Sequence, residues 1–357
     1  MTDFVTNEQI IQAARRNLDQ AAWDYLVSGS ESETTMRRNR LAFDHYGFRP
    51  RILVDVSRID TSTTFLGEKL RIPVMLAPIG SLQVFTPDAA VAATKAAAEF
   101  GTIHILSSVT EPSWEETAAA ADHPKMFQLY VQGDNDWTRE SLARIRAAGY
   151  KALAITVDTA IYSRRERPIL TRWSPPTQRA PRVRNFLSEL TWDKLDFIRS
   201  IWEGPLMVKG VATVEDARMC IDHGVQVLWV SNHGGRQLDH GLGALDVLPD
   251  IVNAAAGRAD VIVDGGVQRG TDVLKAVALG AKAVAVGKLQ AWGLGADGQA
   301  GCLRMLEILE NEIISAMGLL GVTSIGQLSS KYVTRADAVT QPHEMSAWTN
   351  MPGARLQ

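Results

Sequence analysis

Val227-Leu228-Trp229-Val230-Ser231-Asn232-His233-Gly234-Gly235-Arg236-Gln237-Leu238-Asp239 passes from four apolar residues straight into Ser, Asn, His and Arg set around two glycines. An apolar run without alternation marks a strand covered on both faces, as in a parallel sheet wrapped by helices. A buried strand that stops on such groups presents chemistry at its carboxyl end, where a parallel barrel keeps its active site. Seven more runs of this kind occur: Pro73 to Pro78, Thr102 to Ser108, Lys125 to Val131, Ala152 to Asp158, Pro205 to Gly210, Asp260 to Gly266 and Ala283 to Lys288. Helical stretches lie between them, among them Asp88 to Phe100, Asp136 to Ala148, Thr213 to His223 and Thr271 to Leu279. Several connections carry Gly101, Gly149, Gly224, Gly257 or Gly280, the residue that ends a helix in the left-handed conformation. Eight alternations predict an α/β chain folded as a (β/α)8 TIM barrel. A doubly wound open sheet is the competing layout, but no G-x-G-x-x-G opens a first helix.

The 357 residues suit one barrel domain with additions. We expect a helical segment over 1–60 with patterns at Glu8 to Leu26 and Glu31 to Phe43, packed across the bottom or flank. The barrel should span 61–330, and residues 331–357 form a tail. An insertion after the fourth barrel strand, 167–190, is dense in proline and arginine (Pro168, Arg172, Pro175, Pro176, Arg179, Pro181, Arg182, Arg184) and reads as a mobile lid at the catalytic face. With 46% hydrophobic and 22% charged residues, the composition is that of an ordinary soluble enzyme. A net charge of -3 gives no reason to expect nucleic acid as a partner. No apolar run approaches the ~20 residues of a membrane span, and the first residues lack an export signal. Cys220 and Cys302 fall in helical patterns without metal-ligand spacing, which predicts reduced thiols, no metal and a cytoplasmic location.

In a barrel the strand ends converge on one mouth. Here they offer Pro78-Ile79-Gly80, Ser107, Gln128 with Tyr130, Thr156 with Asp158, Lys209-Gly210, Ser231 with His233, Asp264 with Gly266, and Gly287-Lys288. A core built for stability alone would not bury so many polar groups, each costing ~1–3 kcal/mol if unpaired. Lys209 offers a fixed cation, either for a Schiff base or to balance a negatively charged ring, and Gly210 favours close approach of a flat ligand. Asp158 should favour the cationic form of His233, making the pair a proton acceptor. Arg165 and Arg236 follow shortly after and suit a carboxylate gripped by guanidinium forks. Tyr130 lies on the same side of its strand as Gln128 and can hydrogen-bond an oxygen near the reacting centre. Glycines and helix starts after strands seven and eight suggest a phosphorylated planar cofactor.

These residues resemble those of the FMN-dependent 2-hydroxy acid oxidase and dehydrogenase family, which includes glycolate oxidase, lactate oxidase, lactate monooxygenase and mandelate dehydrogenase. The resemblance runs from Trp23-Asp24-Tyr25-Leu26-Val27-Ser28-Gly29 through Phe127-Gln128-Leu129-Tyr130, Thr156-Val157-Asp158-Thr159, Val208-Lys209-Gly210 and the Ser231 to Asp239 motif to Asp264-Gly265-Gly266. It implies oxidation of an (S)-2-hydroxy acid to a 2-oxo acid with His233 as base, assisted by Asp158, and oxygen as acceptor. The alternatives within the family are a dehydrogenase with another acceptor or a decarboxylating monooxygenase. A Schiff-base aldolase or lyase through Lys209 is the rival from another class. By the same resemblance Tyr25, Arg165 and Arg236 hold the substrate carboxylate and Tyr130 contacts its hydroxyl. Pro78, Ile79, Gly80, Ser107, Gln128, Thr156, Lys209 and Ser231 bind the flavin ring and ribityl chain, and Asp264, Gly266, Gln268, Gly287 and Lys288 surround ribityl and phosphate. A homo-oligomer, tetramer or octamer, is implied too.

Four positions depart from the family pattern. Gln268 and Lys288 stand where many members have arginine, which should weaken the grip on the cofactor phosphate unless Arg269 or a backbone donor substitutes. Val109 replaces the tryptophan of glycolate oxidase and leaves room for a larger substrate side chain. Gly80 is shared with lactate monooxygenase and mandelate dehydrogenase, where simple oxidases usually carry alanine.

Overall fold

The computed structural model describes residues 3–176 and 184–338. Arg179, Pro181 and Arg182 of the expected lid, and the tail beyond 338, lie outside the described residues. The chain opens with helices α1 (Asn7–Asn17), α2 (Gln20–Val27) and α3 (Thr34–Asp44), then short strands β1 (Tyr46–Phe48), β2 (Thr63–Phe65) and β3 (Glu68–Leu70). The barrel strands follow: β4 (Val74–Leu76), β5 (His104–Ser107), β6 (Lys125–Leu129), β7 (Leu153–Thr156), β8 (Leu206–Val211), β9 (Val227–Val230), β10 (Asp260–Asp264) and β11 (Ala283–Val286). Each neighbours the next in parallel, and β11 pairs with β4 to close the barrel. Around it lie α4 (Ala89–Phe100), α5 (Trp114–Ala119), α6 (Asn135–Ala147), α7 (Glu166–Leu170), α8 (Trp192–Ile201), α9 (Val214–Asp222), α10 (Ala244–Ala255), α11 (Gly270–Ala278) and α12 (Lys288–Leu320), the last kinked at Asp297 and Gly298. β12 (Val333–Arg335) pairs with β1. All eight barrel strands fall within or against the predicted runs, and the five connecting glycines adopt positive φ.

Alternation along each strand sorts its residues between two cores. One set packs outward against the helices, including Leu106, Phe127, Ile155, Val208, Leu228 and Val263. The other fills the barrel interior with Ile105, Met126, Ala154, Met207, Trp229, Ile262 and Ala285. Phe65 and Leu70, both fully buried, join this inner cluster from the β2–β3 hairpin, whose turn residues Leu66 and Gly67 both have positive φ, as a two-residue hairpin turn requires. Burying each of these two side chains contributes about 1.5–3 kcal/mol.

The N-terminal segment differs from expectation. Glu8 to Leu26 is two helices, broken where Asp19 accepts a hydrogen bond from the Ala22 amide to cap α2. Helix α1 lies on the flank, against α12, and α3 also touches the outer helix α10. Helices α2 and α3 lie at the catalytic mouth: Asn39 exchanges two 2.8 Å hydrogen bonds with Asn232, and Arg40 donates to the Gly266 carbonyl at 2.7 Å. Gly266 permits this approach, since a Cβ there would stand 2.4 Å from the Asn39 carbonyl oxygen. In the expected lid, α7 is tied down by Arg167, whose guanidinium donates twice to the Glu33 carboxylate at 2.6 Å.

Candidate active site

Two residues beyond the apolar interior, the same inward faces turn polar. Ile105 leads to Ser107, Met126 to Gln128, Ala154 to Thr156, Met207 to Lys209, Trp229 to Ser231 and Ile262 to Asp264. Above this layer lies a cavity of about 430 Å³, a size suited to a small molecule or cofactor. Of the residues singled out from sequence, Tyr25, Pro78, Ile79, Gly80, Tyr130, Arg165, Lys209, His233, Arg236, Asp264, Gly266, Gln268, Gly287 and Lys288 line it. Ser107, Gln128, Thr156 and Ser231 lie beneath as the buried polar layer, and Asp158 stands behind His233.

The chain leaves β9 and turns sharply, putting His233 at φ +60, a conformation uncommon outside glycine and often found at functional sites. Its Nδ1 meets Asp158 Oδ1 at 2.9 Å, and its Nε2 lies 3.4 Å from the Tyr130 hydroxyl. With Nδ1–H donated to the carboxylate, Nε2 keeps a lone pair facing the cavity. The charge balance corrects the sequence-based expectation. Burial, with Lys209 and Arg165 nearby, outweighs the pull of Asp158 and sets His233 below its ordinary pKa, so the resting imidazole is neutral and free to accept a proton. Burial would raise the Asp158 carboxyl, but His233 and Lys209 hold it below the usual range and keep it ionised. Burial, and then Asp158, raise the Tyr130 phenol, so it remains a donor at neutral pH.

Arg236 sits over the Tyr25 ring at 5.1 Å, and its Nη1 donates to the carbonyls of Tyr25 (2.8 Å) and Leu26 (3.2 Å), capping the end of α2. Burial, with Arg165 beside it, lowers its pKa to about 10, still a cation at pH 7. Arg165 lies 4.6 Å over the Tyr162 ring and donates through Nε to the Arg236 carbonyl at 3.1 Å. The Tyr25 hydroxyl donates to the Gly80 carbonyl at 3.3 Å.

At the other end, Lys209 Nζ donates to Ser231 Oγ at 2.8 Å and pairs with Asp264 at 3.5 Å. Gly210 has a different reason from the one expected: a Cβ there would lie 2.9 Å from the Asp158 Cβ, so it makes room for the carboxylate rather than for a ligand. The helix start after β10 is also occupied. Asp272 accepts from the Gln268 and Arg269 amides, both at 3.0 Å, and Glu312 accepts from the Gly270 amide at 2.6 Å. Arg269, the expected substitute, pairs with Glu312 at 3.0 Å. Gly287 and Lys288, at the start of α12, line the cavity at that end.

Sequence reading missed Met36, Asn39 and Arg40 of α3, which line the cavity, along with Phe85, Tyr162, Leu187 and Gln237. The one available signal was the burial-prone helical pattern at Glu31 to Phe43, which carries Asn39 and Arg40 within it. Among the described residues, Glu31, Asp239 and His240 place three ligand-type atoms within 4.8 Å of one another. Asp239 there accepts from the Thr35 amide at 2.7 Å and Ser32 Oγ at 2.8 Å, anchoring the start of α3.

Gln128 Nε2 and Thr156 Oγ1 are buried at the mouth without a hydrogen-bond partner. Orphaned groups of this kind, next to a lysine and beneath a cavity, fit a flat polar ring system such as a flavin. Residues 14–335 match the family model described as FMN-dependent dehydrogenase. Glycolate oxidase 1 of Oryza sativa subsp. indica is 39% identical over 364 residues, covering 95% of this chain and 98% of its own. An L-lactate oxidase of Nostoc sp. is 37% identical over 349 residues, covering 90% and 96%. A crystal structure of mandelate oxidase superposes with a TM-score of 0.87 at 33% identity, covering 94% of this chain and 100% of that one. The chain therefore belongs to the FMN-dependent dehydrogenase family, among the 2-hydroxy acid oxidases, and is an FMN-dependent oxidoreductase acting on CH–OH donors.

Proposed function

We propose that the chain oxidises an (S)-2-hydroxy acid to the 2-oxo acid, with His233 as the base and molecular oxygen as the final acceptor. Bound FMN supplies the two-electron acceptor, for which Gln128, Thr156, Lys209 and Ser231 suit the ring and Gly287 and Lys288 the phosphate. Arg165 and Arg236 hold the substrate carboxylate, with Tyr25 alongside, which fixes the C2 carbon beneath Tyr130 and His233. The Tyr130 phenol donates to the substrate oxygen. The conversion of C–OH to C=O removes two hydrogens and two electrons: His233 Nε2 takes up one hydrogen as a proton, the other hydrogen and the electron pair would pass to the acceptor that FMN supplies, and Asp158 stabilises the resulting imidazolium. The observation that carries this reading is the 2.9 Å contact between Asp158 and His233, with Nε2 turned to the cavity that both arginines line.

Phe85, Val109 and Leu187 favour a substrate with an apolar or aromatic side chain. Gly80 favours a second reading, a dehydrogenase or monooxygenase with a different fate for the electrons or the product. The Asp264 partner of Lys209 argues against Schiff-base chemistry at that amine. Two buried thiols are consistent with a cytoplasmic setting. Exposed Ile52, Leu53 and Leu319 favour a homo-oligomer, tetramer or octamer, which sedimentation would test. Mixing the FMN-loaded protein anaerobically with glycolate, lactate, mandelate and longer 2-hydroxy acids tests the substrate class through flavin bleaching. Admitting oxygen then separates the readings: rapid recovery of colour supports the oxidase, slow recovery the dehydrogenase, and a decarboxylated product the monooxygenase.

A further inference from the structure

Gln237 lies next to Arg236 in sequence but faces the other side of the site. It is 7% exposed and lines the cavity. Its Oε1 accepts from Arg165 Nη2 at 3.2 Å, while its Nε2 donates to the carbonyls of Asp158 at 2.8 Å and Ile161 at 3.0 Å. Both amide hydrogens are thus engaged on the segment that follows β7, and the amide oxygen is engaged on the arginine seven residues beyond Asp158. Asp158 is consequently held at two points, by its side chain on His233 and by its backbone on Gln237. Ser163 Oγ and Arg165 Nε both donate to the Arg236 carbonyl, which ties the same segment to the loop after β9.

We infer that Gln237 is a positioning residue whose side-chain amide locks Arg165 to the segment bearing Asp158, so that carboxylate grip and proton acceptor keep one geometry. This deepens the proposed hydroxy acid site and rests on that reading. A primary amide is the side chain that presents an acceptor to a guanidinium and two donors to a pair of carbonyls. Methionine fills the same volume with neither function. Glutamate keeps the acceptor but neutralises Arg165 and sets a carboxylate against the two carbonyl oxygens.

The test is a double-mutant cycle on the FMN-loaded protein, read by oxalate binding through its perturbation of flavin absorption and by kcat and KM for the best substrate. Gln237→Met should weaken oxalate about 10–100-fold and lower kcat/KM to a similar extent, mostly through KM, because a misplaced binding group loses that much. Gln237→Glu should weaken oxalate further. In an Arg165→Met background, Gln237→Met should change oxalate binding less than about twofold, since its effect acts through the missing guanidinium. FMN content and Tm are recorded for each variant, and Gln237→Glu, which keeps the polar volume, serves if Gln237→Met does not fold. Parent-like oxalate affinity in both Gln237 variants, no oxalate binding by the parent, or a full Gln237→Met effect without Arg165 overturns the inference. Absence of bleaching by any 2-hydroxy acid, with oxalate behaving as described, would instead sink the substrate reading and leave the role of Gln237 standing.

Discussion

The lower and upper halves of the barrel interior are built from the same strands and the same inward faces, yet they do opposite work. Below, Ile105, Met126, Met207, Trp229 and Ile262 close on Phe65 and Leu70 of the hairpin, an apolar plug that excludes water. One alternation step above, Ser107, Gln128, Lys209, Ser231 and Asp264 form a buried polar layer with unpartnered atoms at Gln128 and Thr156. A closed ladder fixes each strand's register, so the plug holds the polar layer in place even though those groups are not all satisfied. Along six of the eight strands, two residues separate the apolar layer from the polar one.

Substitutions on either side of that boundary should behave differently. The largest effect expected is in the upper half: Asp158→Asn removes the charge that steadies the imidazolium, and kcat should fall roughly 10²–10⁴-fold. The same change sharpens the electrostatics. His233 is held below its ordinary pKa despite Asp158, so kcat/KM of the parent should be level near pH 7 and fall as pH drops through the depressed value. Without the Asp158 charge that acid limb should move to lower pH, because the raising influence is lost; a limb that moves upward would contradict the charge balance. In the lower half, Ile105→Ala should cost about 2–5 kcal/mol in denaturant unfolding while kcat/KM of the folded fraction stays within about threefold. A large activity loss without a stability loss there would erase the distinction between the halves. Arg236→Lys keeps a charge but loses the fork over Tyr25, and should lower kcat/KM about 10–100-fold. The smallest effect is expected at the phosphate end, where Lys288→Gln should weaken FMN roughly tenfold or less, with a shallower salt dependence as the readout.

Much of this was legible before any coordinates. The eight strands could be read because burial on both faces leaves continuous apolar runs, and the chemistry could be read because those runs end on polar residues. Strand β9 ends at Val230, where the apolar run ends, and His233 lies in the turn beyond it with a positive φ. The β2–β3 hairpin went unseen because three-residue strands carry too little alternation, though Leu66-Gly67 marks its turn. The place of α3 at the mouth is a tertiary fact, decided by Asn39 and Arg40 meeting Asn232 and Gly266, and no period along the chain encodes it. The charge state of His233 escaped for a related reason: Asp158 was visible as a partner, but burial and the opposing cations Lys209 and Arg165 act through space. Gln237 was hidden beside a more conspicuous arginine.

The central claim is that the neutral imidazole of His233 accepts the substrate proton above a flavin bound on the polar layer. Anaerobic stopped-flow of FMN-loaded parent and His233→Ala with the best 2-hydroxy acid tests it directly. The account predicts rapid bleaching of the parent, and a variant that stays yellow, binds FMN normally and bleaches at least about 10²-fold more slowly. Bleaching of the variant at the parent's rate, or a parent that cannot take up FMN, would contradict it.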